Sequence, residues 1–314
     1  MLYRVVYYFM NSLRYGMKNS LHITYTYNLP VYLFILLMLL VAHSHASTEL
    51  HFFQTDKRYD YRIALLSLAM EKTLKSHGPY ALVPYNEAVT QQRGLHILKK
   101  NKGVNIAFLA SNSDREKNFL SVKIPILRGI LGYRVFLIKD INEGKFSNIQ
   151  SLQELKDTMV AGFGSQWADM AILTSNEIPV MGSVRYETLF GMLSKGRFDY
   201  FPRGINEAWL EIENKNDKYP RLIVEPTMAL YYPYPVYFYV QKQNITLAQR
   251  ITEGLETALQ DGSFKRLFLK FHKALIDRAE LSNRRFFVLD NPNLTPDTPH
   301  PDTSWWLPQG RLYQ

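Results

Sequence analysis

The chain has 314 residues, of which 46% are hydrophobic and 21% charged, with a formal net charge of +9 and no cysteine. A chain of this length can bury a hydrophobic core of its own without needing disulfides. The lack of cysteine in this sequence excludes thiol catalysis, a cysteine-ligated zinc site and a lipid-modified cysteine.

Residues 1–46 predict a secretory signal peptide. Residues 31–42 form an unbroken apolar run, shorter than the roughly 20 residues of a membrane span. Three basic residues precede the run, no acidic residue occurs before Glu49, and residues 44–46 read small-x-small, which is typical of a cleavage site. Cleavage would remove those three charges and lower the formal charge from +9 to +6. The alternatives are an uncleaved membrane anchor and a start at Met17 instead of Met1.

This leader predicts a periplasmic protein, and not a lipoprotein, that meets the membrane only through the signal segment. The mildly basic remainder contains no lysine or arginine run that resembles a nucleic-acid patch. We therefore expect no nucleic-acid partner, and the positive balance favours small anionic ligands.

The first half of the remaining chain alternates strands and helices. The apolar runs at 50–54, 80–83 and 104–110 predict strands, and the helical spacing at 61–75 and 87–100 predicts helices. Such alternation is typical of an α/β sheet with parallel strands and helices on its faces.

A second set of elements starts at a capping box at 151–154. A further apolar run, at 134–139, precedes this set. Within the set, strands are predicted at 159–161, 180–181, 198–201 and 221–225, and helices at 166–173 and 186–193. Two such sets predict two lobes.

Two apolar stripes and a proline-rich stretch end the chain. Leucine or isoleucine recurs every fourth residue from Leu247 to Leu259, and aromatic and leucine residues repeat from Phe264 to Phe271, as on two core-facing helices. After Ser282 the sequence becomes rich in proline. We predict that residues 283–314 form an extended tail packed on the body, with anchors at Trp305 and Trp306.

Arg115 is the most informative single residue. It follows the strand predicted at 104–110 by five residues, at the kind of strand end where α/β proteins place ligand sites. A guanidinium there is suited to holding a carboxylate, and the alternative is a solvated loop arginine.

Four stretches in order resemble solute-binding protein family 3, the amino-acid-binding proteins of ABC transporters. They are the Ala-Leu-Gln-Asp-Gly-Ser-Phe sequence at 258–264, residues 111–117 with their Ser-x-x-x-Arg order, Gly-Ser-Gln at 164–166, and Leu-Ser-Lys-Gly-Arg-Phe-Asp at 193–199. The resemblance covers about residues 49–275 and implies the type II periplasmic binding fold, in which two α/β lobes, each built on a mostly parallel sheet, close like a Venus flytrap. It implies lobe I at 47–130 and 236–282, and lobe II at 131–235.

The resemblance also implies ligand-binding roles. Arg115, in the segment that begins at Ser111, would clamp the ligand carboxylate. Gly164, Ser165 and Gln166 would meet the same carboxylate from the other lobe. The sequence predicts Ser165 at the start of a helix, where unsatisfied N–H groups favour anions, and a plain helix cap is the alternative. Trp167 would stack on the ligand or fill the wall between the lobes.

The sequence departs from the family where an acid usually holds the ligand ammonium. That position is about Gly204, with Arg203 beside it and Glu207 one helical turn later. A second cation facing Arg115 would repel an ammonium and attract a second anionic group. Glu207 would either restore the ammonium contact or pair with Arg203, and Tyr59 would act as an aromatic lid.

These features predict a periplasmic protein that captures a small carboxylate-bearing solute, amino acid-like or a dicarboxylate. It would act for an ABC transporter permease or as an orphan binding or sensing protein. The lobes would close about crossings near 127–133 and 229–237, where Gly129 and Gly132 suit hinge torsions. We predict no catalytic residue, metal or cofactor, since no paired acid–base constellation is visible. The alternatives are a membrane-tethered sensory domain and, less favoured, an enzyme on the same fold.

Overall fold

The computed structural model describes residues 47–299. The predicted leader at 1–46 and the tail anchors Trp305 and Trp306 lie outside the described residues.

The described part of the chain alternates strands and helices. The strands are β1 Thr48–Phe52, β2 Tyr80–Pro84, β3 Ile106–Ala110, β4 Phe119–Val122, β5 Tyr133–Lys139, β6 Ala161–Gly164, β7 Val180–Ser183, β8 Phe201–Gly204, β9 Leu222–Val224, β10 Met228–Tyr231, β11 Val236–Gln241 and β12 Arg285–Val288. The helices are α1 Asp60–Lys72, α2 Leu74–His77, α3 Gln91–Lys100, α4 Ser113–Asn118, α5 Glu143–Ser147, α6 Leu152–Thr158, α7 Met170–Ser175, α8 Tyr186–Ser194, α9 Ala208–Lys215, α10 Ile245–Gln260 and α11 Ser263–Ala279. Short 3-10 turns occur at Lys57–Tyr59, Ile130–Gly132, Asp140–Asn142 and Leu281–Asn283.

One lobe is built around β3, which is buried over most of its length. β11 lies between β3 and β4 and is antiparallel to both, while β1 and β2 form a parallel pair. The Gln54 side chain joins the end of β1 to β3, because its amide donates to the Phe108 carbonyl at 2.7 Å and accepts from the Phe108 N–H at 3.2 Å. The predicted apolar stripe of α10 is in the core, with Leu247, Ile251 and Leu255 buried.

The other lobe centres on β5. Its sheet has the order β12-β10-β5-β8, with β9 also pairing β5, and β6 and β7 form a separate parallel pair. The predicted Ser151 cap is confirmed at the start of α6, where its side chain accepts from the Glu154 N–H at 3.1 Å. The Glu154 carboxylate accepts from the Gln150 N–H at 2.6 Å, one residue before the position that a capping box requires.

The chain passes between the two sheet systems at 123–132 and again at 232–235. Gly129 has φ 82°, a left-handed conformation that glycine adopts at low cost. At Gly132 a Cβ would lie 2.4 Å from the Tyr232 carbonyl oxygen, so the two passages run against each other.

The sheets are more mixed than the sequence predicts. Three strand pairings are parallel and five are antiparallel, because β4, β5, β10 and β11 run back and forth near the passages. The predicted helix at 166–173 starts later, at Met170, because residues 165–169 form turns instead.

The segment after Ser282 contains a strand that the prediction of an extended tail did not include. Residues Arg285–Val288 form β12, which pairs in parallel with β10 at the edge of the second sheet. The proline-rich composition concealed this four-residue strand, whose side chains Phe286 and Phe287 are buried on opposite faces, in two different core clusters.

Candidate functional site

A polar cavity of about 740 Å³ lies between the two lobes. Its walls come from β3, α1 and α4 on one side, and from β5, β8, α8 and α9 on the other. Eight charged side chains line it: Arg58, Arg62, Arg115, Arg134, Arg203, Asp169, Glu207 and Glu211. Because five of these are cationic and three are anionic, the cavity carries an excess of positive charge.

Arg115 is held at this cavity by local backbone contacts. Asn112 caps α4 by accepting from the Arg115 N–H at 2.8 Å. The Arg115 guanidinium donates through Nη1 to the Ala110 carbonyl at the end of β3, at 2.5 Å. Within residues 47–299 it has no carboxylate partner, so most of its N–H donors remain available to a ligand.

Arg62 enters the same cavity from α1. Its Nη1 donates to the Phe108 carbonyl at 3.1 Å, and its guanidinium lies 5.0 Å from the centre of the Tyr59 ring. Burial lowers the pKa of Arg62 to about 10, which leaves it charged at neutral pH. Like Arg115, it has no carboxylate partner among the described residues.

Tyr59 lies at the cavity between two arginines. Its ring meets the Phe108 ring edge to face, with centroids 5.6 Å apart, and the Arg58 guanidinium lies 4.9 Å from the ring centre. This position of Tyr59 is compatible with the aromatic lid that the sequence suggests.

Arg203, across the cavity, is already neutralised. It donates to both Glu211 carboxylate oxygens, at 2.7 and 2.5 Å, and lies 3.1 Å from Glu207. Burial alone would lower the pKa of Arg203, but Glu207 and Glu211 outweigh it and raise that pKa. The role of Arg203 as a second cation for the ligand stays a prediction, and Glu207 and Glu211 balance its charge on its own wall.

Glu207 pairs with Arg203, which is the second of the two roles that the sequence left open for it. Besides Arg203, its Oε2 accepts from the Gly204 N–H at 3.1 Å and lies 3.7 Å from Arg134 Nη1. These contacts commit the carboxylate to the arginines of its own wall.

Arg134 forms a second buried ion pair beneath the same wall. Its Nη2 donates to Asp169 Oδ2 at 2.8 Å, and the Tyr232 hydroxyl donates to the same oxygen at 2.8 Å. Burial opposes its charge, yet Tyr232 and Asp169 raise the pKa of Arg134 above its ordinary value. This network fixes the wall where β5 meets the passage between the lobes.

Trp167 forms part of the cavity wall, one of the two roles that the sequence allowed. Its ring stacks on Phe201 with centroids 6.0 Å apart and lies 4.8 Å from the Arg203 guanidinium. It also covers Gly164, where a Cβ would come within 2.3 Å of the indole.

The structure brings together six of the nine residues proposed from sequence. Lining the cavity are Tyr59, Arg115, Gln166, Trp167, Arg203 and Glu207. Ser111, Gly164 and Ser165 are not among its lining residues. The buried Ser111 hydroxyl donates to Glu116, and Gly164 lies under Trp167.

The predicted position of Ser165 at the start of a helix is wrong. Its N–H donates to the Ser183 carbonyl at 3.0 Å, continuing the pairing of β6 with β7. Since α7 begins only at Met170, Ser165 neither caps a helix nor presents a helix terminus to an anion.

Sequence reasoning missed Arg62, Arg134, Asp169 and Tyr234 as cavity residues. Arg62 lies inside a predicted amphipathic helix, where a charged residue is read as solvated. Arg134 opens an apolar run, and the polar start of such a strand was the available signal.

No protein-family model matches the sequence, and a search of curated proteins finds no match. Solved structures do match. The probable amino-acid ABC transporter extracellular-binding protein YtmK of Bacillus subtilis has a TM-score of 0.50 and 18% identity, over 72% of this chain and 96% of that one. The chain has the type II periplasmic binding fold.

Two further structures with this periplasmic binding fold also align. The YckB protein of Bacillus subtilis has a TM-score of 0.49 and 16% identity, over 78% of this chain and 96% of that one. An ancestral arginine-binding protein bound to glutamine has a TM-score of 0.46 and 16% identity, over 73% of this chain and 99% of that one.

Between residues 47 and 299, no helix is both long and apolar enough to cross a membrane. The same residues contain no group of three or more histidine, aspartate or glutamate side chains that could hold a metal ion.

Proposed function

We propose that this protein is a periplasmic solute-binding protein that captures a small carboxylate-bearing solute between its lobes. The observation that carries the proposal is Arg115, a positioned guanidinium without a carboxylate partner among residues 47–299, at a polar cavity with excess positive charge. Delivery to an ABC permease, or an orphan sensing role, follows from the fold and from the leader predicted at 1–46.

Arg115 suits a carboxylate because its geometry is set before the ligand arrives. The Asn112 cap fixes the backbone of α4, and the Ala110 carbonyl holds one edge of the guanidinium. The remaining N–H groups can donate to both oxygens of a carboxylate in a bidentate arrangement. Such preorganisation reduces the entropy lost when the ligand binds.

The opposite wall supplies contacts that only a closed cleft would complete. Gln166 and Trp167 face the cavity from the lobe of β6, while Arg115 faces it from the lobe of β3. A ligand that touches both walls favours closure through the contacts made only in the closed state. We infer that the passages at 123–132 and 232–235 are the hinge, because they link the two walls, run against each other and contain the left-handed Gly129.

The proposal is tested by comparing carboxylate binding by the unaltered protein and by the Arg115→Ala variant. We expect the unaltered protein to bind short carboxylates in titration calorimetry, and the variant to lose affinity by about 1.5–3 kcal/mol, the usual value of a charged hydrogen bond. Thermal shift should show the same difference, because a ligand that binds only the folded state raises its stability.

Arg93→Ala is the matched control, since Arg93 is an exposed arginine of the same lobe, 3.6 Å from Glu87 and outside the cavity. It should leave affinity unchanged. Full carboxylate affinity in Arg115→Ala, or no binding of any carboxylate by the unaltered protein, would contradict the proposal.

A further inference from the structure

A half-buried cation without a counter-ion calls for an explanation, and Arg62 is such a cation. Its guanidinium is partly withdrawn from water, yet it has no carboxylate partner within residues 47–299. Arg134 and Arg203, the buried arginines of the opposite wall, each have one. Burying an unbalanced charge is costly, so a partner from outside the chain would stabilise it.

Its hydrogen bond to the Phe108 carbonyl does not account for Arg62. Gln54 already donates to that carbonyl at 2.7 Å and completes the edge of β3 by accepting from the Phe108 N–H. The carbonyl and the N–H of Phe108 therefore both have hydrogen-bond partners without a cation. The Tyr59 ring, 5.0 Å from the guanidinium, orients Arg62 along the cavity wall but cannot neutralise it.

Arg62 and Arg115 are anchored on the same strand. They donate to the carbonyls of Phe108 and Ala110, two residues apart in β3. Successive residues of a strand rise by about 3.4 Å, so these carbonyls lie about 7 Å apart on one edge. Two guanidinium groups at one cavity are thus anchored on neighbouring carbonyls, an arrangement that suits two anionic groups of a short molecule.

We propose that Arg62 is a second anion-binding residue of the cleft, and that the ligand is a short dicarboxylate. This inference rests on the proposed function and narrows its ligand class. It also moves the second cation from Arg203, which Glu211 neutralises, to Arg62, on the same wall as Arg115.

The experiment measures charge preference at constant ligand shape. The full chain is titrated with succinate and glutarate, and with their monoamides, succinamate and glutaramate, which replace one carboxylate by a neutral group of the same size. We expect the diacid to bind roughly 10- to 150-fold more tightly than its monoamide, the ratio of one charged hydrogen bond.

Arg62→Gln should abolish that preference by weakening diacid binding while leaving monoamide binding nearly unchanged. Arg62→Lys, which keeps the charge without the planar fork, should retain part of the preference and covers the case in which Arg62→Gln folds poorly. Arg93→Gln, at an exposed position outside the cavity, is the control and should keep the full preference.

Equal affinity of the unaltered protein for diacid and monoamide would overturn the inference, as would an unchanged preference in Arg62→Gln. Arg115→Gln separates the two proposals, because it should weaken both ligands. If Arg115→Gln weakens both while Arg62→Gln changes nothing, the proposed function stands and the second anion site falls. If neither diacid nor monoamide binds the unaltered protein, both fall.

Discussion

His272, on α11, is buried in a way that makes the protein sensitive to acid. Its ring meets Tyr61 at 4.5 Å and Phe268 at 4.8 Å between centroids. Neither ring nitrogen has a hydrogen-bond partner within residues 47–299. Burial, with a smaller contribution from Arg62, lowers the pKa of His272 from 6.5 to about 4.

We therefore expect stability to fall as the pH drops from about 6.5 through about 4. The folded state binds fewer protons than the unfolded state in this window, so protons favour unfolding. The neutral ring is fully accommodated above this window, and up to about 3 kcal/mol is lost below it. His272→Phe should remove this contribution, as measured by urea unfolding at pH 7 and pH 5. His96→Gln, at an exposed histidine, is the control and should lose as much stability between pH 7 and pH 5 as the unaltered protein. An equal loss of stability in His272→Phe would refute the assignment of this pH dependence to His272.

At the scale of elements, α1 and α10 are packed so closely that a glycine separates them. A Cβ at Gly254 would lie 2.0 Å from the Ala69 carbonyl oxygen. Arg250, one turn earlier on α10, is buried and donates to Thr73 Oγ1 at 3.1 Å and to the Gly78 carbonyl at 2.5 Å. Because α1 carries Arg62, this contact also sets where one of the cavity arginines lies.

Gly254→Ala should destabilise the protein by about 1–3 kcal/mol, because overpacking outweighs the roughly 1 kcal/mol that alanine gains in a helix. Gly144→Ala is the matched control, since α5 leaves the space around Gly144 empty to 4 Å and only the helical gain remains. Denaturant midpoints of the two variants measure the difference. A stabilised Gly254→Ala would show that the helices can separate without cost.

At the scale of the whole molecule, the segment that follows β12 ties one lobe to the other. Asn291 Nδ2 donates to the Pro233 carbonyl in the passage at 2.8 Å, and the Ser113 N–H donates to the Asn293 carbonyl at 2.8 Å. Thr295 then donates to Glu116 at 3.0 Å, on α4. The helix that positions Arg115 is thus held from a strand in the opposite sheet.

We expect removal of residues 290–299 to loosen α4. A chain that ends at Leu289 should exchange the amide hydrogens of α4 faster, unfold at lower temperature and bind carboxylates more weakly than a chain that ends at Pro299. Loss of the Thr295 bond alone removes a hydrogen bond to a charged group, about 1.5–3 kcal/mol. Equal exchange in the two truncated chains, followed by mass spectrometry, would argue that the segment does not hold the helix.

The sequence by itself determined the elements whose side chains report their own environment. The leucine spacing of α10 and the apolar run of β3 are periodic because each must bury one face, so their positions could be read directly. The order of the family-like motifs likewise predicted the fold, and Arg115 could be placed at a strand end from the sequence alone.

Only the tertiary structure decided which charges are paired. Arg62 and Arg115 are 53 positions apart in the chain, yet both reach carbonyls of β3. Arg203 is matched by Glu211, which a helix brings back across the wall, and β12 joins a strand more than fifty residues away. Ion pairing and edge pairing depend on how the chain folds back on itself, and local hydrophobic periodicity carries no information about that choice.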